Sequence, residues 1–231
     1  QPVELKGPYL KSAVALTLRG ADPFLRNCLA GLMSQDHPDY CIVVMIDSTE
    51  DPATGLVKQI LKDYPSDKVL VRYVTAPRMT CSLRMEALIQ IVEQLDPSYE
   101  AIVLCDADTI PHSSWLRELV GVLNDPHVGV ASGIRWYMPM DKAWGSLVRH
   151  VWNFGAIMQM SAFDIGWGGS LAIRRKSMQQ INLLDQWGQA MFEDTLTVSR
   201  HLDSNWKLMF VPTATMVNRE SIDLRGCITF I

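Results

Sequence analysis

Two aspartates one residue apart, Asp106 and Asp108, follow the apolar run Ile102-Val103-Leu104-Cys105. Such a run suits a central strand covered on both faces, where a carboxylate is costly, so acidic residues appear where the strand emerges. Ligands of open α/β sheets bind at these carboxyl ends. Two adjacent carboxylates repel each other unless a proton or a cation lies between them. Hard divalent cations such as Mg²⁺ or Mn²⁺ take oxygen ligands together with substrate phosphates. The pair therefore predicts a nucleotide-diphosphate site with its cation, against the plainer reading of an acidic turn before Pro111.

Other candidates gather around this pair. Asp47 closes the apolar run Ile42 to Ile46, and on a parallel strand it shares an edge with Asp106, where a carboxylate can accept from a base or ribose; otherwise it caps the next helix. Glu193-Asp194 stands at a helix start, where acidic residues complement the dipole. A carboxylate facing the cation site would also serve as general base for a sugar acceptor's hydroxyl, presented near the loop Gln186-Trp187-Gly188. Gly166-Trp167-Gly168-Gly169 offers close backbone approach under an aromatic ring, or simply a turn with a core tryptophan. His112 is within reach of the same shell, although a surface role suits it and the other histidines better.

These residues need elements to hold them. Val14 to Leu18 reads as a strand, followed by a helix from about Asp22 to Met33 with Pro23 in its first turn. A strand from Tyr40 to Ile46, a helix opened by Asp51-Pro52 and running through Lys62, and a strand from Lys68 to Val74 follow. The alternation predicts an α/β fold with a mainly parallel sheet. Helices are expected at Ser82 to Leu95 and Ser113 to Leu123, with a short strand at Val128 to Ser132. Beyond it come a helix from about Lys142 to Met160, a glycine loop, a strand Ser170 to Ile173, a helix Phe192 to Leu202 and a strand Lys207 to Val211. Val151 to Ile173 carries only Asp164 as a formal charge, but its glycines argue for helix, loop and strand and against a membrane span.

A chain of 231 residues, 48% hydrophobic, fills one sizeable core. A net charge of −4 argues against nucleic acid as a partner. Five scattered cysteines predict neither a disulfide framework nor a zinc site, and a reducing compartment is expected. No signal peptide or repeat is read in the sequence.

Taken together and in order, several motifs resemble the catalytic domain of GT-A fold glycosyltransferases of family 2, most closely the ceramide glucosyltransferase-like branch. They are Arg19-Gly20-Ala21-Asp22-Pro23-Phe24-Leu25, Gln35-Asp36-His37-Pro38-Asp39-Tyr40, Asp47 with Glu50-Asp51-Pro52-Ala53, Asp106-Ala107-Asp108 and Phe192-Glu193-Asp194, across about residues 12 to 220. The resemblance implies one catalytic domain over 1–231, with a nucleotide-binding half at 1–125 and an acceptor half at 126–231. It implies inverting transfer from a UDP-sugar to a hydroxyl of a lipid or saccharide acceptor.

In that scheme Asp47 contacts uridine, Arg84 lies near the nucleotide, Asp106 and Asp108 hold the sugar and a Mg²⁺ or Mn²⁺ cofactor on its diphosphate, and Asp194 is the catalytic base. The family's Gln-x-x-Arg-Trp motif after the base is missing; Arg135-Trp136 precedes the base and has Ser132 where the glutamine belongs. The branch also carries membrane helices outside this domain. Either the sequence is part of a longer protein at the cytoplasmic face of a membrane, or acceptor binding differs. Two rival classes are a GT-A-like module that binds nucleotide without transfer, and a haloacid dehalogenase-type phosphohydrolase, whose later Gly-Asp-x-x-x-Asp cluster the sequence lacks.

Overall fold

The structure is a computed structural model and describes residues 9–230. Strands β1 (Ser12–Leu18), β2 (Tyr40–Ile46) and β3 (Val69–Tyr73) alternate with helices α1 (Leu25–Met33), α2 (Pro52–Asp63) and α3 (Leu83–Gln94). The chain continues through β4 (Ala101–Cys105), α4 (Trp115–Gly121), β5 (Val128–Tyr137), α5 (Trp144–Ala162) and β6 (Ser170–Arg174). It ends in α6 (Arg175–Gln180), α7 (Leu183–Trp187), α8 (Asp194–Asp203), β7 (Lys207–Asn218) and α9 (Leu224–Phe230).

Seven strands form one sheet in the order β3-β2-β1-β4-β6-β5-β7. β1 pairs parallel with both β2 and β4, so the chain reverses its direction of travel across the sheet between them, the point at which such folds open a crevice. Alternation along β1 divides the core. Val14, Leu16 and Leu18 pack with α1, α2 and α4 on one face, whereas Ala13 and Ala15 meet α3 and α7 on the other. Both faces are covered, which is why β2 and β4 are buried at every position.

β6 runs antiparallel to β4 and β5, the exception in an otherwise parallel sheet. Its first residue, Ser170, pairs with Cys105, the last of β4. The glycine loop entering β6 is thereby delivered to the edge where Asp106 emerges.

Several expected boundaries move. α1 starts at Leu25, leaving Asp22-Pro23 in a turn where the Asp22 carboxylate accepts from Phe24 N. β5 runs five residues past Ser132 to Tyr137, and β7 runs through Pro212 to Asn218. A proline is tolerated there because β7 is the edge strand. Helices α6, α7 and α9 were not expected. Trp187 lies on α7, fully buried with its indole N–H donating to Thr197 Oγ1, so it is core and does not present an acceptor. Among the described residues no helix is long and apolar enough to cross a membrane.

Candidate active site

Leu18 and Ile46 are paired at the ends of β1 and β2, so the next residues, Arg19 and Asp47, stand side by side. Arg19 Nε lies 3.6 Å from Asp47 Oδ2. Partial burial pushes the Asp47 carboxyl up, with Arg19 opposing the rise. The turn below is held by Asp51, the N-cap of α2, whose carboxylate accepts from Ala53 N at 2.8 Å and Gly20 N at 3.0 Å. Gly20 has φ +78°, a left-handed conformation that favours glycine. This loop, Asp47 and Arg84 line a cleft that continues past Asp22 to Asp106, Ala107 and Asp108.

Arg84, in the first turn of α3, is the bridge across this cleft. Its Nη2 lies 2.8 Å from Asp106 Oδ1 and 2.7 Å from Glu193 Oε1, and its Nε donates to the same Glu193 oxygen at 2.8 Å. These two carboxylates hold the Arg84 guanidinium firmly in its charged form. Glu193 is buried, whereas Asp194 is half-buried at the start of α8, its carboxylate accepting from Thr195 N at 2.7 Å. Of the two adjacent acids, Glu193 turns toward Asp106.

The glycine loop packs directly on these carboxylates. A Cβ at Gly168 would overlap Glu193 Oε1, and one at Gly169 would overlap Asp106 Oδ2 and the Trp167 ring. Glycine is required here for close approach. Trp167 N is fixed by donating to Ser132 Oγ at 3.0 Å.

Asp108 has a different shell. Its Oδ2 accepts from Asn218 Nδ2 at 2.8 Å and lies 3.9 Å from Arg135 Nη1. Its buried Oδ1 has no hydrogen-bond partner. Burial, reinforced by the Asp106 charge, pushes its carboxyl up to about 6. A buried acceptor without a donor and a carboxylate repelled by its neighbour are both relieved by a cation. Two carboxylates cannot fill an octahedral oxygen shell, and among the described residues no group of three or more His, Cys, Asp or Glu gathers to do so. Asp106 and Asp108 can thus supply two of the oxygens that a hard divalent cation takes, with water or a bound ligand's oxygens completing its shell.

In the sequence Arg135 stands out only as part of a misplaced Arg-Trp pair, and Asn218 does not stand out at all. The Arg135 guanidinium stacks 4.8 Å from the Tyr137 ring and 5.1 Å from the Trp167 ring. Arg135-Trp136 is thus no substitute for the Gln-x-x-Arg-Trp motif, yet its arginine does reach Asp108. Between the pairs Ser132–Phe210 and Ile134–Thr215 the register shifts through extra residues on β7 around Pro212; pairing then resumes, so β5 carries Arg135 to the site and β7 brings Asn218 opposite Tyr137. The signal was alternation resuming beyond Gly133. His112 turns elsewhere: its ring nitrogens meet Ser114 Oγ and the Thr213 carbonyl, each at 3.0 Å.

A stretch of 48 residues, 21% of the chain, is 31% identical to a ceramide glucosyltransferase from Komagataella phaffii and covers 9% of that protein. Over 98% of the chain, the fold matches a mannosyltransferase from Pyrobaculum calidifontis solved in complex with GDP-Man and Mn²⁺, with a TM-score of 0.69 and 19% identity, spanning 64% of that chain. The expected GT-A fold is therefore the observed one. The family model that matches is the one for glycosyl transferase family 21, over residues 14–228. On a match of that extent, the chain belongs to glycosyl transferase family 21.

Proposed function

We propose that this domain transfers a sugar from a UDP-sugar to an acceptor hydroxyl with inversion, using Mg²⁺ or Mn²⁺. The observation that carries the reading is the buried, unpartnered Oδ1 of Asp108 beside Asp106, at the end of a cleft that begins at Asp47. Asp47 receives the uridine part, and Arg84 orients Asp106 and counters the charge of the diphosphate. Asp106 and Asp108 hold the cation, which when bound offsets the negative charge on the departing diphosphate. The Mn²⁺ and GDP-Man of the mannosyltransferase complex support a cation and a nucleotide-sugar donor. The uridine base rests on the resemblance alone.

Asp194 is the general base. Half-buried and next to Glu193, it takes the proton of the acceptor hydroxyl as that oxygen attacks the anomeric carbon. The bond from that carbon to the diphosphate breaks on the opposite face, and UDP leaves with the bonding electrons. Alignment of acceptor, anomeric carbon and leaving group supplies much of the rate. The ceramide in the name of the Komagataella relative favours a lipid over a saccharide acceptor. A membrane-associated domain at the cytoplasmic face, with its five free cysteines reduced, agrees with that preference.

The test pairs calorimetry with UDP and Mn²⁺ with a turnover assay over a panel of UDP-sugars. Asp194→Asn should abolish transfer and leave UDP affinity within about twofold, because the base touches the acceptor and not the donor. Transfer that survived the substitution would remove Asp194 from this role. Nucleotide binding without any transfer by the wild-type chain would make it a binding module.

A further inference from the structure

Helix α5 is built inside out. Its buried positions are Gly145, Ser146, Arg149 and Asn153, small or polar residues on one face. Arg149, 1% exposed, donates through Nη1 to the Glu220 carboxylate and through Nη2 to the Glu220 carbonyl at 2.6 Å, and stacks 4.2 Å from the Tyr137 ring. Ser146 Oγ accepts from Ile222 N. The opposite, outward stripe is apolar: Trp144 is 76% exposed, Val151 71% and Met158 61%, with Val148 between them. Ordinary surface helices bury the apolar face and show the polar one.

From Phe154 to Ala162 every residue is exposed or only partly covered, although the segment reads Phe-Gly-Ala-Ile-Met-Gln-Met-Ser-Ala. The outward surface of the whole helix carries no formal charge along its length of about 28 Å. α5 leads through Phe163, 73% exposed, into the Gly166 to Gly169 loop that packs on Asp106 and Glu193.

We infer that α5 lies in the plane of a lipid bilayer interface, its Trp144-Val151-Met158 stripe in the acyl boundary and its Arg149 face pinned to the protein. A helix with one face tied down by a buried arginine cannot span, and the long uncharged stripe has the chemistry of lipid and not of water. The exposed aromatic residues along it, Trp144, Trp152 and Phe154, suit the interface. A large exposed apolar surface needs a partner, and a bilayer matches this one over its full length without requiring charge complementarity. The inference deepens the transfer reading and rests on it in one respect: the glycine loop brings the interface next to the donor carboxylates, so a lipid acceptor would meet them without leaving its membrane.

The test is flotation of the full chain with phosphatidylcholine vesicles, without donor or acceptor. The protein should float with the vesicles, and raising NaCl from about 0.1 to about 0.5 M should not release it, because the stripe is uncharged. The double variant Val151→Glu, Met158→Glu should lower partitioning about tenfold or more, with thermal midpoint and UDP–Mn²⁺ affinity unchanged. The control Val151→Leu, Met158→Leu should float like wild type. Wild type that stays in the aqueous fraction overturns the inference, as does a dimer in solution that the double glutamate variant splits while vesicles capture neither. Flotation with no transfer defeats the transfer reading and supports this one; transfer to a soluble acceptor without flotation does the reverse.

Discussion

Arg84 and Glu193 meet twice on one oxygen: Nε at 2.8 Å and Nη2 at 2.7 Å both address Glu193 Oε1, while Nη2 also reaches Asp106. One guanidinium thereby ties the end of β4 to the start of α8. The contact fixes Asp106 relative to Glu193, and so relative to Asp194, the next residue along the chain.

Glu193→Gln keeps the shape of this contact and removes its charge. With Glu193 buried and Arg84 about one-third exposed, the expected stability loss is about 1–2 kcal/mol, less than for a fully buried pair. Urea unfolding would measure it. With one negative charge gone from the cleft, UDP should bind several-fold more tightly without metal; an unchanged metal-free affinity would separate Glu193 from the nucleotide's field.

Gly169→Ala puts a methyl group where Asp106 Oδ2 and the Trp167 ring already sit. Asp106 is held by Arg84 and Trp167 N by Ser132 Oγ, so the cost should be about 1–3 kcal/mol, and the displaced carboxylate should lower turnover by about a hundredfold. Thermal melting and kcat measured together check the pair of effects. Gly55→Ala, inside α2 where nothing lies within 4 Å of the added methyl, is the control: it should leave turnover unchanged and raise the melting midpoint slightly, because alanine is favoured over glycine in a helix by about 0.5–1 kcal/mol.

The Asp47 and Asp106 side of the cleft was legible because its signals are local. Asp47 and Asp106 each follow a fully buried apolar strand, and burial forces that pattern on the sequence itself. Glu193 and Asp194 were legible as a pair and not as individuals, since one step along a helix start turns a side chain by about 100° and only tertiary packing selects which acid faces inward. Arg135 and Asn218 were hidden for another reason. Gly133 on β5 and Pro212 on β7 look like strand ends, yet β7, the edge strand, tolerates its proline and a register shift, and the pairing resumes beyond them to carry Arg135 and Asn218 to Asp108. The helix α5 was legible as apolar, but sequence alone did not tell which of its faces the protein covers.

Arg135→Lys retains the charge beside Asp108 but loses the flat guanidinium that stacks on Tyr137 and Trp167. An ammonium is a compact point charge and does not fill that slot. UDP–Mn²⁺ affinity should fall by about five- to thirtyfold, the equivalent of about 1–2 kcal/mol, with little change in the unfolding midpoint. Calorimetry that found wild-type affinity in the lysine variant would reduce Arg135 to a bystander.

His201 gives α8 a pH-dependent anchor. Its Nδ1 lies 2.7 Å from the Thr197 carbonyl, which only accepts, and its Nε2 lies 2.8 Å from Ser177 Oγ. Burial lowers its pKa from the usual 6.5, opposed by the Thr197 carbonyl, and no charged group contributes. The unfolded chain therefore binds the proton more readily than the folded one. Its contribution is fully present above the unfolded value and is lost as pH falls through the depressed folded value, so the fold should weaken below about pH 6.5. His201→Gln should start about 1–2 kcal/mol less stable at pH 7 and lose less on acidification. Urea midpoints at pH 7.5 and 5.5 for both proteins check the difference: parallel losses would assign the acid limb to another group, such as His37, whose pKa burial also lowers.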